Sequence, residues 1–250
     1  MARTEEPPLR AGKKKAGRKK RRQPRRFRPL RWLWRWTFRL ALAGMVVIVL
    51  AVLLYRFINP PTTPYIFAES RRLGGVEMRW VAADDIAQVM LRSAVAAEDA
   101  NFCEHWGFDM DAIRDAINGG GNRGASTISQ QVAKNAWLWH GRSWTRKALE
   151  AMITPVMETF WSKRRILEVY LNIAEFGEGV FGIGAAAQHA FGVTPKNLTA
   201  DQAARLAAVL PNPKHRSAAK PSAKLRKRAA SIRDGAETIR IDGRADCFGG

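Results

Sequence analysis

The sequence predicts a mainly α-helical domain behind a single transmembrane helix. Three observations predict it. Positive charge crowds into the N-terminal end, an uncharged apolar run comes next, and from Asp84 onward apolar residues recur at three- and four-residue spacing between Gly and Pro breaks. No internal repeat, βαβ rhythm or nucleotide-binding glycine loop is visible.

Charge defines the N-terminal segment. The chain carries a formal net charge of +20, yet residues 1–39 hold 16 of its 42 Lys/Arg against only Glu5 and Glu6. The block from Lys13 to Arg28 has almost no apolar residue, so it cannot bury a core and is expected to be disordered. Leu40–Tyr55 then runs for sixteen residues without a charge. Arg39 and Arg56 can snorkel from its ends, and Trp32, Trp34 and Trp36 precede it as an interfacial aromatic belt would. A cleaved signal peptide is the alternative, but the basic stretch is long for one and no small-x-small site comes after Tyr55. Pro60, Pro61 and Pro64 suggest a stiff exit linker. The positive-inside rule keeps the tail cytoplasmic, where it is expected to meet anionic lipid and not nucleic acid, and exports the chain beyond about residue 58. The expected division is a cytoplasmic tail over 1–38, a transmembrane helix over 39–58, a linker over 59–75, a folded domain over 76–220 and a C-terminal extension over 221–250.

Within the exported part, Val76–Val81 alternates and can form a short strand. Ile86, Val89, Met90, Ser93, Ala94 and Ala97 mark a helix running into Glu98. Asp109 or Asp111 can cap a second helix, which stops at Asn118–Asn122, expected as a mobile loop. Ser126 or Thr127 caps the next, and one long helical stretch is expected from Ser143 to Tyr170, bent near Pro155. Gly177, Gly179, Gly182 and Gly184 interrupt the pattern before Ala185–Ala187, and Thr199–Leu210 is the last clear helix. Ile232, Ala236, Ile239 and Ile241 hint at a further packed element. Cys103 and Cys247 are too few for a disulfide framework; a bridge between them is open.

Three segments carry candidate chemistry. Glu98 and Asp99 sit at the end of a small apolar run, which disfavours a charged carboxylate and raises its pKa toward that of a general base or acid. A helix simply ending in solvated acids is the other reading. In Gly124–Asn135, Thr127, Gln130, Gln131 and Lys134 can share one helix face suited to phosphate and sugar hydroxyls, or else decorate an ordinary capped helix. Arg146 and Lys147 stand four and three residues before Glu150, so that one carboxylate can steady both cations. Glu158, Lys163, Arg164, Arg165 and Glu168 look structural. His105 is expected to pack or hydrogen-bond, with no second metal ligand expected at helical spacing from it.

Taken together, the segments Glu98–Phe102 with His105 and Gly107, Gly124–Asn135, Arg146–Glu150 and Lys163–Asn172 resemble the peptidoglycan glycosyltransferase family in order and spacing. The resemblance covers about residues 75–215 and is strongest to the family's monofunctional, biosynthetic transglycosylase members. The chain ends soon after, so the penicillin-binding transpeptidase domain of bifunctional members is not expected. Ser129 replaces a common Thr, and residues from about 220 match least. The resemblance implies a lysozyme-like, two-lobed, mainly α domain at the bacterial inner membrane, with its catalytic part periplasmic. It implies polymerisation of lipid II onto a lipid-linked glycan strand, with inversion to a β-1,4 bond and release of undecaprenyl pyrophosphate, in cell wall biogenesis and cell shape. By position, Glu98 would be the base and Glu150 the second functional carboxylate. Lys134, Arg146 and Lys147 would hold pyrophosphate, and Asp99, Phe102, Ser126, Thr127, Gln130, Gln131 and Asn135 would contact substrate. No cofactor or metal site is required, although the pyrophosphate leaves room for Mg or Mn, and a cell-wall synthesis complex is a conceivable setting. A lytic enzyme and a non-enzymatic wall-binding anchor are the rival readings.

Overall fold

The computed structural model describes residues 29–119, 126–141 and 143–249. It divides into residues 1–43 and residues 44–250. The described part of the first unit is the beginning of α1 (Pro29–Phe57), a helix that starts ahead of the expected span and takes in the tryptophans. Trp32 and Trp36 meet edge to face at 6.3 Å, and Arg39 lies 5.5 Å over the Trp36 ring. Leu30–Phe57 is long and apolar enough to cross a membrane. At ~1.5 Å per residue its rise exceeds a bilayer core, so the Trp-bearing turns suit the headgroup level.

The second unit begins inside α1, and the last turns of that helix belong to its core. Val52 is fully buried, and its carbonyl accepts a 2.8 Å bond from Trp161 Nε1. Tyr55 stacks on Trp137, which packs on Trp161. Arg165 donates to the carbonyls of Tyr55 and Ile58, which have no helical partner at a C-terminus. The 59–75 stretch is not only a linker. It contains α2 (Pro64–Leu73), capped by the Thr63 hydroxyl and stopped by Gly74 in the left-handed region; Pro64 fits because a first-turn N–H is unneeded.

Of the alternating 76–81 stretch only β1 (Glu77–Met78) is strand. It pairs in parallel with β3 (Val180–Phe181), which pairs antiparallel with β2 (Glu175–Gly177). Asn172 locks the chain after β1, accepting from Val81 N–H and donating to Val81 O. Gly184 is required there, since a Cβ would stand 2.4 Å from the Arg79 carbonyl.

Helices supply the rest: α3 (Gln88–Glu98), α4 (Met110–Asn118), α5 (Ile128–Trp137), α6 (Trp144–Phe160), α7 (Lys163–Ile173), α8 (Gly182–Phe191), α9 (Ala200–Val209) and α10 (Ala223–Ile241). Asp109 caps α4 and Thr127 caps α5. Of the expected 118–122 loop, residues 120–122 lie outside the described residues. The single long helix expected over 143–170 is two helices. Pro155 sits inside α6, and the break falls at Trp161, where the Ser162 hydroxyl caps α7. α5 packs against α6 and α7, while α10 packs across α9 and α3. Residues 221–250, expected as an extension outside the folded domain, thus bury Leu225, Ala229, Ile232, Ala236 and Ile239; Ile241 is exposed. A disulfide joins Cys103 to Cys247.

Candidate active site

Glu98 is the last residue of α3, and α5 supplies the side chain bonded to it. Gln131 Nε2 donates to Glu98 Oε2 at 2.9 Å. Burial raises the Glu98 carboxyl above the ordinary range, opposed by the Gln131 bond and the charges of Arg228 and Lys134, while Asp99 adds to the rise. A carboxylate that holds its proton weakly in water holds it more firmly here, as a general base at neutral pH requires.

The backbone around Glu98 is fixed through Asp99. Its Oδ2 accepts from Ile128 N–H in the first turn of α5, at 2.9 Å, where a carboxylate suits the helix dipole. Its Oδ1 lies 2.8 Å from His105 Nε2. Thr127 and Gln130 form a reciprocal capping box, and Thr127 Oγ1 donates to the Gly107 carbonyl at 2.7 Å. Behind them, Ser129 Oγ donates to Glu158, which also takes Lys163.

One and two turns into α5, Gln131, Lys134 and Asn135 line a cavity of about 300 Å³ with Tyr65, His140, Tyr170, Glu175, Asn212, Lys214 and His215. Burial lowers the Lys134 pKa, and Arg146 and Lys147 lower it further against the pull of Glu150 and Glu98. Glu150, on α6, is 3% exposed and gathers the other two cations. Arg146 Nη1 donates to its Oε2 at 3.0 Å and Lys147 Nζ to its Oε1. Arg146 Nε also donates to Gly141 O, and Lys147 Nζ reaches Ser126 Oγ at 3.4 Å. A second cavity, about 310 Å³, is lined by Ala96–Asn101, Asp109, Ala112, Ser126 and Thr127. Glu98 lines this one, and its bond to Gln131 links it to the first.

Residues 68–237 match the protein family described as Transglycosylase. The chain belongs to that family. A biosynthetic peptidoglycan transglycosylase of Jannaschia sp. (strain CCS1) is 63% identical over 218 residues, covering 87% of this chain and 90% of that protein. Proteins of the same description from Caulobacter vibrioides and Ectopseudomonas mendocina are each 48% identical over 214 residues, covering 84% and 82% of this chain and 92% and 88% of theirs.

Within this transglycosylase-family chain, the residues expected to contact substrate separate into two groups. Gln131, Lys134 and Asn135 line the first cavity; Glu98, Asp99, Ser126 and Thr127 line the second. Phe102 does not belong to the site: it is fully buried between Phe248 and His105, with Lys163 4.5 Å over its ring. Thr127 and Gln130 are 3% and 4% exposed, and the Thr127 hydroxyl and Gln130 Oε1 serve the α5 cap, so both support the helix. Asp99 likewise has both oxygens engaged by protein.

His105 requires another correction. Asp109 does stand four residues on, and Asp99, His105 and Asp109 bring potential ligand atoms within 4.8 Å of one another. Yet Asp109 accepts from Asp111 N–H, Ala112 N–H and Asn101, and the Asp99 oxygens are taken by Ile128 and His105, so the trio is a hydrogen-bonded brace. Tyr65, His140, Lys214, His215 and Arg228 are the groups sequence reasoning missed. None sits in a spacing tied to α5, and Pro211–Pro213 read only as a helix stop.

Proposed function

We propose that this chain is a peptidoglycan glycosyltransferase that polymerises lipid II into β-1,4 glycan strands with inversion, releasing undecaprenyl pyrophosphate. The observation that carries the reading is the pairing of one desolvated carboxylate, Glu98, with three cations, Lys134, Arg146 and Lys147. The acceptor's 4-hydroxyl oxygen attacks the donor's anomeric carbon as Glu98 takes the hydroxyl proton. The bond from that carbon to the pyrophosphate oxygen breaks, and the charge that gathers on pyrophosphate meets the cations. Pyrophosphate leaves without being protonated, so fixed cations replace a general acid. Arg146 offers a fork and the lysines point charges.

A lytic glycosidase needs a carboxylic acid to protonate the glycosidic oxygen, and it would leave Lys134, Arg146 and Lys147 without a role. Both oxygens of Glu150 are taken by Arg146 and Lys147, so its place is with the cations. For the same reason Glu150 does not fit as a ligand for Mg or Mn beside these cations. α1 would anchor the domain to the outer face of the inner membrane with the basic tail in the cytoplasm, which confines enzyme and polyprenyl-linked substrate to one surface.

The test is full-length protein in detergent with labelled lipid II. Long glycan strands are expected. Breakdown of preformed strands would replace the polymerase by a lytic enzyme, and no reaction with either substrate would leave an anchor.

A further inference from the structure

The turn that carries Glu98 is gripped by the last part of the chain. Arg228 of α10 donates to the Ala97 carbonyl at 3.4 Å, and Arg244 to the Ala100 carbonyl at 3.1 Å. These oxygens lie on either side of Glu98, where α3 ends and its own amides no longer serve them. Three residues beyond Arg244, Cys247 is bonded to Cys103. Next to it Phe248 packs on Phe102, and the Phe248 carbonyl accepts from Arg164 of α7 at 2.7 Å. α10 approaches α3 closely: a Cβ on Gly235 would stand 3.4 Å from Ala96 Cβ.

We propose that residues 223–248 are a positioning strap for the catalytic carboxylate. Arg228 and Arg244 fix the backbone around Glu98, Arg228 supplies a charge that Glu98 feels, and the Cys103–Cys247 bond closes the strap. The inference rests on Glu98 as the base. A base must meet its proton within hydrogen-bond reach in a defined direction, and small misplacements lower turnover steeply. Without the bond, the end of the chain would be held to the Glu98 turn by the Arg244 contact and the Phe248–Phe102 packing. The groups facing Glu98 are Arg228 from α10, Gln131 and Lys134 from α5, Tyr170 from α7 and the adjacent Asp99. Arg228 is the member of this set that can be altered without touching either cavity.

The experiment uses full-length protein and labelled lipid II. A dithiol reductant passes two electrons and two protons to the bond, becoming a disulfide itself and leaving Cys103 and Cys247 as thiols; mass spectrometry with thiol alkylation verifies the opening. Reduction should lower kcat about tenfold while KM changes little, and Cys247→Ser should show the same loss and no further response to reductant. Arg228→Ala should move the acidic limb of the kcat/KM profile to higher pH, because a positive charge that favours ionised Glu98 is gone, and Arg228→Lys should restore the limb. Unchanged kcat in verified reduced protein, or an unmoved limb in Arg228→Ala, overturns the strap. If reduction also removes helical circular dichroism, the Arg228 pair decides alone. Glu98→Gln is the separate control: full turnover there would defeat the base assignment itself, whatever the strap variants do.

Discussion

Replacing Glu150 by glutamine keeps its size but removes its charge and one of its two acceptor oxygens. The side chain is 4% exposed, Arg146 on one oxygen 11% and Lys147 on the other 42%. The amide can satisfy one partner while presenting N–H to the other. The Arg146 contact, a nearly dry charge-assisted bond, is worth about 1.5–3 kcal/mol. The Lys147 contact is screened by water and adds at most ~1 kcal/mol. The expected loss is about 2–3 kcal/mol, or roughly 5–10 °C in the unfolding midpoint of a domain this size. Turnover should fall more than stability suggests, by ~100-fold, because both cations lose the anchor that aims them at the leaving group. Lipid II polymerisation measured well below the unfolding temperature separates the two effects. Turnover within a few-fold of wild type, alongside the expected thermal loss, would refute the claim that Glu150 orients the cations.

Glu98→Gln should lower turnover at least ~100-fold. Because burial raises the folded Glu98 pKa, its contribution to stability is full below the ordinary glutamate range and is lost as pH rises through the folded value. The glutamine variant should therefore resist denaturant better than wild type at neutral pH, with the gap closing below about pH 4; identical midpoints at neutral pH would contradict the burial. Lys134→Ala removes a half-buried cation that donates no side-chain hydrogen bond among the described residues, so its unfolding midpoint should hold or rise while strand synthesis is lost. A collapsed midpoint would make Lys134 structural. Phe102→Ala should cost about 3–5 kcal/mol in chemical denaturation, and an unchanged midpoint would return the ring to the cleft.

The residues of the base and the cations are readable in the sequence because each is a charged group in an apolar or helical frame. Phe102, Thr127 and Gln130 share the same motifs and serve the scaffold. A motif records that a residue matters, and only burial separates contact from support. The break at Trp161 is hidden for a related reason. Nothing in 143–170 except Pro155 opposes a helix, and the chain turns at Trp161 because its indole N–H reaches Val52 O and Ser162 then caps α7. α10 begins with a run of Lys and Arg that looks like solvated surface. The partners of Arg228, Arg244 and Cys247, namely Ala97, Ala100 and Cys103, lie more than a hundred residues earlier, beyond any local pattern.

The end of α1 has a practical consequence for anyone who cuts or swaps the anchor. Val52 and Tyr55 sit among Trp137 and Trp161, and Arg165 holds the carbonyls of Tyr55 and Ile58. The last turns of the helix are therefore mortised into the domain, not tied to it by a leash. A fragment begun after residue 58 would bare two tryptophans and leave Arg165 without its carbonyls. A foreign apolar helix of equal length would restore the span but not the joint.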